Sequence, residues 1–457
     1  MATHGHAHAS VTGTARRPVR LNLFAHACGH HSAAWRAPGS SVERLADITY
    51  WEELARIAER GRLDAVFLAD GQSIGTAGVE RGPAWMLEPL TALTAMARAT
   101  ERVGLVTTVS STFWDPFHAA RLLASLDHIS RGRAGVNVVT SMTDEEARNH
   151  SMTALPGHAQ RYATAGEFLE VLQGLWESWP MDSILAEPDG AYVDPALLRP
   201  PLHRGEAFAV DGPLNVPTPP QGRPVLFQAG ASEPGRALAA RHAEGIYAVA
   251  WDLASARTYR SDIRSRAAAL GRDPDALAVM PGLVPYVAST EEEARRRKAE
   301  LDARLPVRDS LRQLSFFVGQ DTSDWELDAP VPPLPPLEEF TGPKGRYATV
   351  LRILETARPT VRELLGLLAA GGGHATVIGT PEQVADEIER WVDAGAADGF
   401  NLMPPTLPGG ITDFVDQVVP LLQRRGRFRR EYEGTTLREH LGLPEVRSVN
   451  APRALRA

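Results

Sequence analysis

Short apolar runs of strand length alternate with helical patterns along most of this chain of 457 residues. Eight apolar runs predict strands, at residues 21–25, 64–70, 103–110, 134–141, 224–230, 245–251, 277–288 and 399–404. Apolar residues recurring at three- and four-residue spacing predict helices, at residues 50–61, 89–101, 116–130, 234–243, 254–270, 290–305 and 381–396. Such alternation is typical of βαβ units on a parallel sheet. The pattern predicts a (β/α)8 barrel and leaves a doubly wound open sheet as the alternative.

The same pattern sets the expected domain organisation. A single barrel at residues 21–426 accounts for most of the chain, and 43% hydrophobic residues are enough for a large core. Two insertions, at about 181–221 and 304–344, are rich in proline; we expect irregular lids or subunit contacts there, with plain surface loops as the alternative. Residues 1–20 lack a hydrophobic core, which predicts a disordered tail rather than a signal peptide. Residues 427–457 form a C-terminal extension, which we expect to pack outside the barrel or on a neighbouring subunit.

Composition excludes several classes of function. The 48 basic and 56 acidic residues include no basic cluster interleaved with aromatic residues, which argues against nucleic acid as a partner. The single cysteine, Cys28, excludes an intrachain disulfide and suits a reducing compartment. No apolar run approaches the roughly 18 residues of a membrane helix. We therefore expect a cytoplasmic protein without a membrane partner.

Small or ionisable side chains follow the predicted strands at their carboxyl ends. They are Asp70, Ser110, Ser111, Asn137, Ser141 and Gly230. In (β/α)8 barrels, the face formed by these strand ends carries the active site. Asp70 fits a general base, a ligand acceptor or simply a helix cap, and its position alone does not choose among these roles.

The helix predicted after Gly230 begins with features of an anion site. Ser232 stands at the expected N-cap and Pro234 near the first helical position. The free backbone NH groups and positive dipole end of such a helix suit a phosphate. An ordinary capped helix is the alternative.

A second polar group opens the helix predicted from residue 158. His158 and Tyr162 are four residues apart, so both project from one helix face, with Arg161 between them. Together they suit a phosphate or a ribityl chain. The alternative is that both side chains lie on a solvated helix start.

Histidines are concentrated after the first predicted strand. His26, His30 and His31 lie close in sequence, but no downstream HxxxH or HxxE partner completes a metal-ligand set. We therefore predict no metal site and expect a pocket wall in which a histidine donates hydrogen bonds or acts in acid–base chemistry.

Several motifs, in order along the chain, resemble one enzyme family. They are ASLDHxSxGRAGxNxVTS at 124–141, HxxRY at 158–162, GPLNVPxPPQGxPVxxQAGxS at 212–232 and GTPEQVAD at 379–386. With shorter motifs they cover roughly residues 20–445. The chain resembles the flavin-dependent monooxygenases of the nitrilotriacetate and dibenzothiophene-sulfone type, within the bacterial luciferase-like superfamily. The match is specific for the family but not for the substrate.

The resemblance implies a barrel that binds reduced FMN, supplied by a separate NAD(P)H-dependent flavin reductase, and reacts it with O2. Carried over by motif, the residues expected beside the flavin ring are Asp70, Ser110, Ser111, Thr112, Asn137 and Ser141. Those expected at the ribityl phosphate are His158, Tyr162 and Ser232. The expected acid–base groups are His31, His26 and His374, and the expected substrate-pocket residues are His30, Phe113, Trp114 and Trp251. For His374, a surface position on a flexible glycine loop remains an alternative.

The expected reaction inserts one oxygen atom into a small organic substrate, with C–N or C–S cleavage or N-oxygenation as the outcome. A histidine would deliver or remove a proton. The alternatives are hydride transfer with the deazaflavin F420, a flavin-binding protein without catalysis, and a metal-dependent barrel hydrolase. We expect a homodimer or homotetramer, as is common for such barrels.

Overall fold

A computed structural model describes residues 17–446 apart from 75–78, 80, 81, 84 and 341–343. Eight parallel strands close into a barrel, in the order β1 (Arg20–Ala25), β2 (Ala65–Leu68), β3 (Gly104–Ser110), β4 (Ala134–Val139), β7 (Val225–Gln228), β8 (Gly245–Ala248), β9 (Ala278–Val287) and β11 (Gly399–Leu402). Closure occurs because β11 pairs with both β9 and β1. The predicted (β/α)8 barrel is confirmed, and the open-sheet alternative is wrong.

Alternate residues of each barrel strand face the interior and the surrounding helices. In β1, Leu21 and Leu23 pack in the cluster beneath the helices, whereas Phe24 packs with interior residues such as Phe67 of β2. Both faces of the strands are buried, as expected for a parallel sheet covered by helices. The interior is filled with side chains rather than hollow, so a ligand must enter from one end.

Helices surround the barrel and extend above it. They are α1 (Ile48–Arg60), α2 (Pro89–Ala99), α3 (Pro116–Ser130), α4 (Asp144–Asn149), α5 (His158–Trp176), α6 (Glu233–His242), α7 (Leu253–Ala269), α8 (Glu291–Asp302), α9 (Val307–Val318), α10 (Lys344–Ala357), α11 (Val361–Leu368), α12 (Pro381–Asp393), α13 (Gly409–Asp413), α14 (Val419–Arg424) and α15 (Leu437–His440). Within the described residues, none of these helices has both the length and the apolarity to cross a bilayer.

The first insertion has the expected irregular character. Short turns lead to a two-stranded antiparallel hairpin, β5 (His203–Arg204) and β6 (Ala209–Val210). The second insertion differs from the expectation, because helix α9 lies inside it and packs with α10 and α11 around Leu314, Tyr347 and Leu364. A further strand, β10 (Ala375–Gly379), pairs with the carboxyl half of β9 and was not predicted.

The segment after residue 427 closes the barrel at the amino-terminal ends of the strands. Leu437 and Leu441 of α15 pack with interior residues of the barrel, including Phe67 and Phe227. The NH of Leu437 donates to the carbonyl of Gly132, just before β4. The expectation that this segment packs outside the barrel or on another subunit is therefore wrong for its described part. The predicted tail falls almost entirely, at 1–16, outside the described residues, as does 447–457.

Candidate active site at the barrel mouth

Three aromatic rings form the bottom of the open end of the barrel. Phe24, Phe67 and Tyr247 project inward from β1, β2 and β8, with ring centroids 5.2 Å apart for Phe24–Phe67 and 5.4 Å for Phe24–Tyr247. Edge-to-face contacts of this kind fix the rings in position. They form an apolar surface directly beneath the polar side chains at the carboxyl ends of the strands.

Histidines 26, 30 and 374 come together above these rings. The ring centroids of His26 and His30 are 5.4 Å apart, and His30 Nε2 lies 2.9 Å from the Phe24 carbonyl oxygen. Burial lowers the pKa of His26, and burial together with His26 lowers the pKa of His30 to about 3. Burial, Arg346 and His30 hold the pKa of His374 well below its usual value. All three imidazoles are therefore neutral at physiological pH.

His374 is fixed by a loop that tolerates only glycine. Gly371, Gly372 and Gly373 all have positive φ, and a Cβ on Gly282 of β9 would lie 2.4 Å from His374 Nδ1. The Tyr247 hydroxyl lies 2.9 Å from His374 Nε2, and Nδ1 has no hydrogen-bond partner in the described structure. His374 is only 1% exposed, which excludes the surface-loop alternative.

His31 lies apart from the other histidines. Its Nε2 is 3.1 Å from Asp302 at the end of α8, and its Nδ1 accepts from the NH of Ala33 at 3.1 Å. Its backbone also forms a bridge with Ala370. Nε2 thus holds the loop after β1 against α8, whereas Nδ1 bonds within that loop. Both ring nitrogens are hydrogen-bonded in the described structure, and the acid–base role of His31 stays a prediction.

Polar side chains from β3 and β4 line one wall of the mouth. Asn137 donates through Nδ2 to Thr108 Oγ1 at 3.1 Å, whereas its buried Oδ1 has no partner in the described structure. The hydroxyls of Ser110 and Ser141 are 2.8 Å apart. Ser141 itself has φ +57°, a left-handed conformation that is uncommon for a residue with a side chain. A buried acceptor without a donor is costly unless a ligand supplies one.

Asp70 lies at the end of β2, half-buried, and accepts from Gln72 Nε2 at 3.0 Å. Burial raises the pKa of Asp70, and the nearby carboxylates Glu88 and Glu146 raise it further. Carboxyl groups with a raised pKa are common at functional sites, where they donate or accept protons. The position of Asp70 thus suits ligand binding.

The start of α6 forms a second polar site. The Ser232 hydroxyl caps the helix by accepting from the NH of Gly235 at 3.3 Å. A Cβ on Gly235 would meet the Tyr162 hydroxyl at 3.1 Å, so glycine leaves this approach open. The ring of His158 lies 4.9 Å from that of Tyr162. Hydroxyls, an imidazole and a helix N-terminus here offer the donors that a phosphate prefers.

The remaining predicted residues are not part of the histidine cluster. Ser111 and Thr112 donate to the carbonyls of Val139 and Thr140. A cavity of about 290 Å³ lies beside them; its lining residues include Phe113, Trp114 and Arg161.

Trp251 packs instead against the cluster formed by α9, α10 and α11, and its Nε1 donates a hydrogen bond of 3.2 Å to Thr356 of α10. Tyr247, Met403 and Arg346 belong to the mouth but were missed by sequence reasoning. Among these, Tyr247 and Met403 had a signal, as inward positions in predicted strands.

A closed barrel with its polar residues at the carboxyl ends of the strands defines an enzyme of the (β/α)8 class. The luciferase-like monooxygenase family matches residues 23–398. The N-acetyl-S-(2-succino)cysteine monooxygenase of Bacillus subtilis (strain 168) is 45% identical, over 94% of this chain and 97% of that protein. The nitrilotriacetate monooxygenase component A of Aminobacter aminovorans is 42% identical, with the same coverage.

Among solved structures, the EDTA monooxygenase from Chelativorans sp. BNC1 superposes with a TM-score of 0.79 at 36% identity. The match covers 94% of this chain and 99% of that one. This chain belongs to the luciferase-like monooxygenase family, and the resemblance inferred from its motifs is confirmed. It is an oxidoreductase of the monooxygenase type.

Proposed function

We propose that this enzyme uses reduced FMN, delivered by a separate NAD(P)H-dependent flavin reductase, and O2 to oxygenate a small organic substrate. The expected outcome is C–N or C–S cleavage or N-oxygenation. The proposal rests above all on the unpaired, buried Oδ1 of Asn137 beside the mouth, since this acceptor calls for a ligand N–H. A "component A" among the relatives supports a second, reductase component.

The residues present fit FMN. Ser232, Tyr162 and His158, at the start of α6, would hold the phosphate, and Asn137 and Asp70 would meet polar edges of the flavin ring. Ser110 and Ser141 lie beside Asn137 on the same wall. When bound, reduced FMN would supply the electrons that activate O2.

The protein's own contribution is to exclude water and to control a proton. Phe24 and Phe67 make the bottom of the mouth apolar, and the neutral histidines add no charge that would hold water there. The hydrogen bond between Tyr247 Oη and His374 Nε2 can hold a proton for transfer to the substrate or its leaving group. His26 remains a candidate for the same task, and His30 a candidate for the substrate pocket.

The test is an anaerobic titration of the protein with reduced FMN and, separately, with reduced F420. Oxygenated buffer containing ¹⁸O2 then follows, with one of three substrates: nitrilotriacetate, N-acetyl-S-(2-succino)cysteine or dibenzothiophene sulfone. We expect saturable binding of reduced FMN and ¹⁸O in at least one product. Binding of F420 in preference to FMN, or FMN binding without any labelled product, would contradict the proposal. We also propose that the protein is cytoplasmic and forms a homodimer or homotetramer. Sedimentation velocity measures the oligomeric state.

The boundaries set by the sequence are retained as a proposal: a tail at 1–20, a barrel at 21–426 and an extension at 427–457. Strand β1 begins at Arg20 and helix α14 ends at Arg424, which supports the barrel limits.

A further inference from the structure

A half-buried arginine, Arg346, lies in the first turn of α10 and faces the glycine loop that carries His374. One guanidinium nitrogen, Nη1, donates to the carbonyl of Gly372 at 2.5 Å and approaches the carbonyl of Gly371 at 3.4 Å. The guanidinium carbon lies 5.8 Å from the ring centroid of Phe317. Nε and Nη2 donate no hydrogen bond to any residue that the structure describes. Three of the five N–H donors of this group therefore await an acceptor.

Even the fully buried arginines of the described residues have their charge compensated. Arg260 pairs with Asp398 at 2.6 Å, and Arg438 pairs with Glu244 at 2.7 Å. Arg133 lacks a carboxylate but donates from all three of its nitrogens to hydroxyl and carbonyl oxygens around it. Within the described ranges, Arg346 has neither kind of compensation. Desolvating a guanidinium without an anion or a full set of acceptors is unfavourable, so the arrangement fits a group that receives its partner from a ligand.

The surroundings of Arg346 make it the source of positive charge at this end of the mouth. His374, two residues beyond the loop carbonyls that Arg346 binds, is held neutral by burial and by the guanidinium itself. His30 is neutral as well. Burial lowers the pKa of Arg346, yet a guanidinium remains protonated at neutral pH. An anion placed between Arg346 and the histidines would thus meet a cation on one side and neutral donors on the other.

We propose that Arg346 binds a carboxylate of the substrate, so that the enzyme acts on carboxylate-bearing small molecules. The planar guanidinium fork matches a carboxylate in a bidentate arrangement, and its two unbonded nitrogens are the ones such a contact needs. The inference rests on the proposed function, because it presumes that His374 and Tyr247 face the substrate. It also fixes an orientation, with the carboxylate at α10 and the reacting atom toward the aromatic rings.

FMN carries an anion of its own, and α10 passes near the proposed phosphate site. A Cβ on Gly345 would lie 4.0 Å from that of Ala231, directly before Ser232. The phosphate has other donors there, in Ser232 and Tyr162, and Arg346 is turned instead toward the loop of Gly372. We therefore assign the carboxylate of the substrate, rather than the phosphate of FMN, to Arg346.

The test compares the binding of two probes by calorimetry to protein loaded with oxidised FMN. The probes are (methylthio)succinate and its uncharged diamide. We expect the natural protein to bind the dicarboxylate at least tenfold more tightly, and Arg346→Gln to reduce that preference to less than twofold. Arg346→Lys keeps the positive charge but loses the bidentate guanidinium, so it should retain part of the preference for the dicarboxylate. This variant also provides a test if Arg346→Gln does not fold. In both variants, the Kd for FMN should stay within twofold of that of the natural protein.

Arg352→Gln is the matched control, since Arg352 lies on the same helix but is already paired with Asp252 at 2.5 Å. Its preference for the dicarboxylate should be unchanged. The proposal is overturned by equal affinity of the natural protein for both probes, or by a preference that survives in Arg346→Gln. A tenfold loss of FMN affinity in Arg346→Gln with an intact preference would assign Arg346 to the cofactor phosphate. Because binding is measured without turnover, failure of the oxygenation assay would not be mistaken for failure here.

Discussion

At the level of single residues, the pair of Tyr247 and His374 is the feature of the mouth best placed for proton transfer. The Tyr247 hydroxyl touches both His374 Nε2 at 2.9 Å and Met403 Sδ at 3.2 Å, so it is held from two sides. Burial raises the pKa of Tyr247, and that of His374 is lowered. Both groups therefore stay neutral across the working pH range, and the tautomer of His374 sets which of the two donates in the hydrogen bond between them.

We expect Tyr247→Phe to lower kcat roughly tenfold to a hundredfold, because the substitution removes the hydroxyl that orients His374 and shares a proton with it. The Kd for FMN should change by less than twofold. Steady-state kinetics with a saturating reductase measure the first quantity, and fluorescence titration measures the second. Tyr432→Phe is the control: its hydroxyl bonds to the Leu63 carbonyl at the other end of the barrel, so kcat should be unaffected. An equal loss in both variants would point to a general packing defect.

Single residues also mark the limit of prediction from sequence. His26, His30 and His31 are close together in the sequence, but only the structure separates the first two, at the mouth, from His31, held by Asp302. Asp302 lies 271 positions away, so no local pattern could reveal the contact. Arg346 was missed for a related reason. Neither its partial burial nor the absence of acceptors around two of its nitrogens can be read from a sequence.

At the level of elements, helix α6 combines a stabilising cap with a proposed phosphate site. Ser232→Ala should cost about 1 kcal/mol of unfolding free energy through loss of the N-cap and should weaken FMN binding roughly tenfold. Denaturant unfolding and FMN titration give the two values. Thr290→Ala removes an equivalent N-cap from α8, where Thr290 accepts from the NH of Glu293, and serves as the control. It should lose similar stability but no FMN affinity; unchanged FMN affinity in Ser232→Ala would contradict the phosphate assignment.

The elements themselves were largely predictable. All eight barrel strands follow from apolar runs, because strands buried on both faces carry continuous apolar sequence. Helix α9 was missed because the proline-rich stretch around 330–336 dominates the composition of its insertion. Strand β10 was missed because a run of three glycines comes shortly before it, which suggested a loop. The C-terminal floor was misplaced, since its contacts to Phe67 and Phe227 depend on the closed barrel.

At the level of the whole molecule, buried neutral histidines tie stability to pH. Burial and Arg429 lower the pKa of His440, in the barrel floor, to about 4. Burial and neighbouring arginines likewise lower the pKa of His242 to about 4. In the unfolded chain, these side chains titrate near 6.5, so between about pH 6.5 and 4 the unfolded state binds more protons. Stability should therefore fall as the pH drops through this window, by up to about 1.4 kcal/mol per pH unit for each histidine.

Urea unfolding between pH 7.5 and 5 checks this dependence. We expect His440→Gln to flatten the slope of unfolding free energy against pH, because one of the groups that takes up a proton on unfolding is gone. His118→Gln, at an exposed position of α3, should leave the slope as it is in the natural protein. A slope that is identical in all three proteins would show that His440 is not the group involved.

The pairing of β1 with β11 joins residues 20–23 to residues 399–402, from opposite ends of the barrel sequence. Because a ribosome delivers the chain from its N-terminus, the free edge of β1 has no partner until nearly the whole barrel has been synthesised. Until then, the nascent chain carries an open parallel sheet with exposed apolar faces, a state prone to aggregation. Closure of this ring is thus a late event, which must wait until residues 399–402 have been synthesised.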